Sequence, residues 1–244
     1  MTSTEAMIYQ LKKLKGKPLN QKIEHILTYF WLPIVVFLVL VIALGAYIFH
    51  LATIKDIALS VTCINAFAES VDTETLISEF AQKAEIDLSE YDVRISADSM
   101  LSDTDPSAYY YASQKIAAQI SAHSIDLLAA DLETATDYFY QAIYRDLSQL
   151  LTPQQSMQYS EHFLYVDMAV VRLLMEEEIE TIRFPDPQKP EEMEDPVPVA
   201  LLLDGNSEFV AKFYPHSKGS VAIGVLFNSE NLENVLAFLD FIMQ

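Results

Sequence analysis

Cysteine is almost missing from this chain. Cys63 stands alone among 244 residues, which rules out an intrachain disulfide framework and any Cys-rich zinc site. Glycine is scarce, with five in all, so a glycine-rich phosphate loop has little to be built from. Basic residues are outnumbered, 15 Lys and Arg against 35 Asp and Glu, for a net charge of −20. That argues against nucleic acid as a partner, because a phosphate backbone is held by clustered Lys and Arg. The five histidines, His25, His50, His123, His162 and His216, form no HExxH pair, and GxSxG, the signature of a nucleophile elbow, is missing. No repeat of fixed period runs through the chain. What is present is apolar: 51% of residues are hydrophobic, too many for overall disorder. A mean hydropathy of +0.18 in so acidic a chain requires apolar and charged residues to be segregated.

The segregation is visible at once. Leu32 to Phe49 is a run of eighteen uncharged residues, and residues 26–51 extend it with only Thr28, Tyr29 and His50 as polar interruptions. As a helix this stretch rises about 39 Å, enough to span a hydrocarbon core with some tilt. Tyr29, Trp31 and Tyr47 stand near its two ends, where interfacial aromatics belong, and Pro33 is expected in the first turns. A cleaved signal peptide has a shorter apolar region and a small-x-small site; here bulky Tyr47, Ile48, Phe49 and His50 follow Ala46. The reading is an uncleaved, single-pass anchor. Before the apolar run stand Lys12, Lys13, Lys15, Lys17 and Lys22 against Glu5 and Glu24, leaving ten basic and thirty-three acidic residues after it. The positive-inside rule then puts residues 1–25 in the cytoplasm as a basic tail and residues 52–244 outside the cell membrane.

The remainder, 57–244, reads as an α/β domain. Apolar or alternating runs at 57–66, 91–97, 125–130, 163–167, 198–204 and 220–227 predict strands. Helices are predicted from Asp72 or Thr73 through Ala84, over 108–122 and from Asp131 through Ile143, with others at 209–213 and 229–243; residues 168–182 read as a helix in preference to a continuation of the strand before them. Strand–helix alternation of this kind implies a mostly parallel sheet covered on both faces, a three-layer α/β/α domain. Residues 184–198, FPDPQKPEEMEDPVP, hold five prolines and five acids and read as a stiff acidic linker.

Two resemblances follow from particular segments. SVAIGVLFNSENLENVLAFLDFI is similar to the C-terminal portion of extracellular solute-binding proteins, and the likeness extends loosely over 57–244. LKKLKGKPLNQKIEHI, YFWLP, INAF and KPEEMEDPVPVALLL resemble uncharacterised single-span membrane proteins of Gram-positive bacteria that carry a divergent, shortened domain of that kind. The resemblance implies one lobe of a type II periplasmic-binding-protein fold. Solute-binding proteins hold ligand between two lobes, and about thirty residues, 168–197, leave no room here for a second.

Candidate chemistry is sparse. In open parallel sheets ligands bind outside the carboxyl ends of the strands; those ends carry Asn65, Asp98 and Asp131, although capping by Asp131 and turn closure by the other two is the preferred account of them. Glu176, Glu177, Glu178 and Glu180, with Glu191, Glu192, Glu194 and Asp195, read as a solvated face, since calcium needs six to eight oxygens converging from a folded loop. DGNSE (204–208) would place Pro215 where a calcium loop needs Glu. Cys63 in an apolar strand reads as core. Tyr109, Tyr110, Tyr111, Tyr138, Tyr140 and Tyr144 form an aromatic-rich region of packing or recognition residues. No catalytic residue, metal or cofactor is assigned. The leading expectation is a membrane-anchored, non-enzymatic interaction module that docks another envelope protein. Small-molecule binding or sensing at the strand ends is the alternative, and a hydrolase with an unfamiliar site is the third.

Overall fold

The structure, a computed structural model, describes Tyr9 and residues 18–67, 73–101, 105–176, 184–215 and 220–243. Lys12, Lys13, Lys15, Lys17, the Tyr29 side chain, Asp72, Glu177, Glu178, Glu180 and His216 lie outside the described residues. The chain divides into two compact units, Met1–Ile54 and Lys55–Gln244.

The described core of the first unit is one helix, α1 (Leu19–Thr53). It starts seven residues ahead of the expected span, because Leu19, Gln21, Lys22 and Glu24 are good helix formers. Pro33 therefore sits inside the helix, not in its first turns, and costs one backbone hydrogen bond there. Trp31–His50 is long and apolar enough to cross a membrane, and none of it is buried against protein. Phe37, for example, is 68% exposed.

The second unit is an α/β domain. Its elements run β1 (Asp56–Ile64), α2 (Thr73–Lys83), β2 (Tyr91–Ser99), α3 (Pro106–Ser121), β3 (Leu127–Asp131) and α4 (Leu132–Phe139). Then come the short α5 (Leu147–Leu150) and α6 (Pro153–Gln158), β4 (Phe163–Asp167), α7 (Met168–Met175), β5 (Pro196–Leu203), α8 (Glu208–Phe213), β6 (Val221–Val225) and α9 (Leu232–Ile242). All six predicted strands form one sheet, in the order β2-β1-β3-β6-β5-β4. β1 runs parallel to β2 and β3, β6 antiparallel to β3 and β5, and β4 antiparallel to β5. Four strands thus share a direction and two oppose it. The sheet is mostly parallel by direction, yet three of its five neighbour pairings are antiparallel.

Successive side chains of a strand face opposite sides, and β3 shows it. Leu127 and Ala129 join one cluster with Leu76 and Phe80 of α2, Phe209 and Phe213 of α8 and Phe238 of α9. Leu128 and Ala130 join the other, with Ile116 and Ile120 of α3, Ala135 and Phe139 of α4 and Val171 of α7. Helices therefore cover both faces. Phe80 meets Phe238 edge to face with ring centroids 5.1 Å apart, a geometry that adds to simple area burial.

Two expectations are corrected by the chain's return to the sheet. The helix predicted through Ile143 stops at Phe139. Ala142 takes a positive φ of 55°, and Tyr144 then bridges to Leu226. Its ring lies so close over Gly224 that a Cβ there would fall 2.5 Å from it, so any other residue would have to push the ring aside. The acidic, proline-rich stretch 184–198 is no free linker either. The Pro187 carbonyl accepts the Tyr165 N–H at 2.8 Å and the Asp195 carbonyl accepts the Met168 N–H at 2.9 Å, while Pro196–Pro198 belong to β5. This stretch is a strap along the edge strand β4. Helix α7 is described through Met175, where a helix over 168–182 was expected.

A candidate ligand cleft at the strand ends

β2 and β3 flank β1, so the strand order reverses between β1 and β3. At such a switch point the chain leaves on opposite sides of the sheet and a crevice opens at the carboxyl ends. Asn65, at the end of β1, adopts φ 57°, the left-handed conformation that Asn tolerates better than most residues. Its Oδ1 accepts the Leu101 N–H at 2.7 Å, and its Nδ2 donates to Asp131 Oδ2 at 3.1 Å and to Thr134 Oγ1 at 3.0 Å. Asp131 closes β3 and caps α4: its Oδ1 accepts the Thr134 N–H at 3.0 Å and its Oδ2 the Thr134 hydroxyl at 2.8 Å. Two of the three predicted strand-end residues are therefore brought together, in one network that is also a helix cap.

Asp98 is not brought to them. Its carboxylate faces Lys115 Nζ at 2.6 Å and accepts the Ser96 hydroxyl at 2.6 Å, and these two bonds hold it below the usual carboxylate range. Side chains alternate along β2, so Asp98 is exposed where its neighbour Ser99 is buried.

Beside Asn65 and Asp131 lies a cavity of about 640 Å³. One wall comes from α3, with Tyr109, Ser113, Ala117 and Ser121 spaced four apart; the other is Glu133, Asp137 and Gln141, also four apart, with Tyr138. Residues i and i+4 share a helix face, so one face of α3 and one face of α4, continued by Gln141 in the turn after it, look onto one space. This is the signal that strand-end reasoning passes over, since it searches the strands and not the helices that follow them. No Lys, Arg or His is among the lining residues. Tyr138 is 8% exposed, and among the described residues no hydrogen bond engages its hydroxyl. Burial, with Tyr109 and Asp137 adding to it, pushes that hydroxyl up to about 12, so at neutral pH it stays protonated and can both donate and accept.

The other polar groups lie elsewhere. Burial raises the Cys63 thiol to about 12, which leaves it inert in the core. His162 Nδ1 stands 3.1 Å from the Leu202 carbonyl, and Asp204 Oδ1 accepts the Asn206 N–H within its own turn at 2.8 Å. Among the described residues no group of three or more His, Cys, Asp or Glu is placed to hold a metal ion. No family model, no curated protein and no solved structure matches this chain.

Proposed function

We propose that this protein is a membrane-tethered, non-enzymatic binding module that takes a small molecule in the cleft at the ends of β1 and β3. The observation that carries the reading is the cavity itself, of drug-sized volume, set at the switch point of the sheet with Asn65 and Asp131 at its edge. The lysines before the apolar run and the acidic excess after it support a cytoplasmic N-terminus and an extracytoplasmic domain. Descent from one lobe of a solute-binding protein accords with a cleft that has no second lobe to close it.

The test uses the full chain in lipid nanodiscs and a thermal-shift panel of small solutes. At least one class should raise the Tm, and Ser113→Trp, which fills the cleft, should abolish the shift. A panel that leaves the Tm unchanged, or a shift that survives Ser113→Trp, overturns the reading. Sidedness is tested separately: protease added to intact cells should remove the domain, and inverted vesicles should protect it.

A second reading, docking of an envelope protein, is favoured by the exposed tyrosines on the first turns of α3, Tyr110 and Tyr111, the latter 70% exposed. It expects a specific protein crosslinked through this helix in intact cells, lost on Tyr110→Ser/Tyr111→Ser.

A further inference from the structure

We infer that the ligand of this cleft is a small organic cation bearing an ammonium group, held between the carboxylates of Asp137 and Glu133 and the side chains of Tyr138 and Tyr109. The inference rests on the cleft being a binding site and names what it takes.

Charge is the first discriminator. Three carboxylates, Asp131, Glu133 and Asp137, border the cavity without a Lys, Arg or His among the lining residues. An anion entering this space meets only like charge, which costs binding free energy. Asp131 already has its own donors in Asn65 and Thr134, so it contributes field more than contact. Among the described residues no hydrogen bond or ion pair engages the carboxylates of Glu133 and Asp137. The domain's acidic excess adds a long-range field of the same sign, which concentrates cations at the surface and speeds their arrival.

The second discriminator is independent of charge. Tyr138 is more than nine-tenths buried, lines the cavity, and carries a hydroxyl without a partner among the described residues. That oxygen is not closed off from the cavity, so it is free to accept a ligand N–H. Tyr138 and Tyr109 also line the same space, and an aromatic ring attracts an ammonium group placed within about 6 Å of its face. Carboxylate, phenol oxygen and aromatic face together suit an amine better than a polyol, whose hydroxyls gain nothing from the negative field.

The experiment is calorimetric titration of the full chain in nanodiscs of zwitterionic lipid, so that the bilayer itself does not collect amines. The probes are 1,4-diaminobutane, spermidine and choline, with N,N′-diacetyl-1,4-diaminobutane as the neutral control of the same backbone and succinate as the anionic one. At least one cation should bind with one site per chain, and the affinity should fall as salt rises. The diacetyl compound should bind at least roughly tenfold more weakly, as expected when a charged hydrogen bond is lost. Asp137→Asn should lower the affinity by a similar factor. Tyr138→Phe, which keeps the ring and the packing, should lower it several-fold, and both variants should keep the parent Tm without ligand. Equal binding of the neutral control overturns the cation assignment and leaves the cleft reading standing. Cation binding indifferent to Asp137→Asn and Tyr138→Phe overturns it too, by placing the cation elsewhere. If no cation binds while another class gives a Ser113→Trp-sensitive thermal shift, the class is wrong and the site right; if nothing binds, both fall.

Discussion

The two ends of β3 each carry an aspartate, and they teach different things. Asp126, just before the strand, is buried and accepts the Ser60 N–H at 2.9 Å, the Ser229 hydroxyl at 2.6 Å and Asn231 Nδ2 at 3.2 Å. Asp131, closing the strand, likewise accepts the Thr134 N–H, the Thr134 hydroxyl and an Asn amide. By bonding alone the two are alike. They differ in what lies beyond the bonds. The Asp126 knot ties β1, β3 and the entry to α9, and its donors come from the backbone and the loop that closes over it. The Asp131 knot borders a cavity with further carboxylates and a buried phenol in its wall. A satisfied carboxylate is therefore no sign of function at either end. The surplus of polar groups around one of them is.

The largest effect should come from breaking that pairing of ends. Asp126→Ala leaves two buried donors, the Ser60 N–H and the Ser229 hydroxyl, and the half-buried Asn231 amide without an acceptor and should cost about 3 kcal/mol of stability. Asp131→Ala removes a cap and one side-chain tie next to open space that water can enter, and should cost about 1 kcal/mol. Denaturant titration of both variants measures the difference; equal losses would erase the distinction between a closed end and an open one. Next in size is Gly224→Ala. Gly224 pairs with Leu128 between the two ends, and the new methyl would drive into the Tyr144 ring. Overpacking of this kind should cost about 2 kcal/mol. Because Ile143, next to Tyr144, lines the cavity, the same variant should also weaken ligand binding, whereas Asp126→Ala should do so only through overall stability.

How much of this could be read from residues alone follows from which interactions are local. The six strands were legible because each is a short apolar or alternating run bounded by turn residues. Their directions were not. A run buried on both faces, such as VAIGV, reads the same whichever way its neighbour points, so the antiparallel setting of β4 and β6 is decided by pairing across the sheet. The end of α4 was illegible for the same reason: the chain leaves the helix before Ala142 because Tyr144 must reach Gly224, eighty residues away in sequence. Asn65 and Asp131 were legible as strand ends; that Asp98 turns to Lys115 was not, since it depends on which side chain of β2 faces α3. The strap was misread because proline and acid content describe a segment in isolation, while its hydrogen bonds go to Tyr165, Asp167 and Met168.

That strap supplies a third carboxylate for the comparison, with an effect of intermediate size. Asp167 accepts the N–H groups of Ala169, Glu194 and Asp195. Burial pushes its carboxyl up, but these three N–H groups and the charge of Arg172 outweigh it, and the net position is below the usual range. A depressed folded value stabilises the native state above the ordinary carboxylate value, about 3.9, and that contribution is lost as pH falls further, through the folded value. Protection of the Glu194 and Asp195 amides, relative to their intrinsic exchange rates, should therefore fall below about pH 4, and Asp167→Asn should leave that protection low and insensitive to pH over the same window. An unchanged protection profile in Asp167→Asn would mean the strap is held by the Pro187 and Asp195 carbonyl contacts and the Arg172–Asp195 ion pair.

The smallest effect should belong to Asp98, and its smallness is informative. Its pair with Lys115 is solvent-exposed on both sides, with side-chain exposures of 65% and 40%. Exposed pairs contribute little, because water screens the charges and two long side chains lose freedom in meeting. Asp98→Asn should shift stability by no more than about 0.5 kcal/mol and leave cation affinity within roughly twofold of the parent, the residual change reflecting only a weaker distant field. Calorimetry at two salt concentrations separates the two causes. A purely electrostatic influence fades at high salt, whereas a large, salt-independent loss would mean that the cleft reaches past Leu101 to the end of β2, and that all three strand ends, not two, frame the ligand.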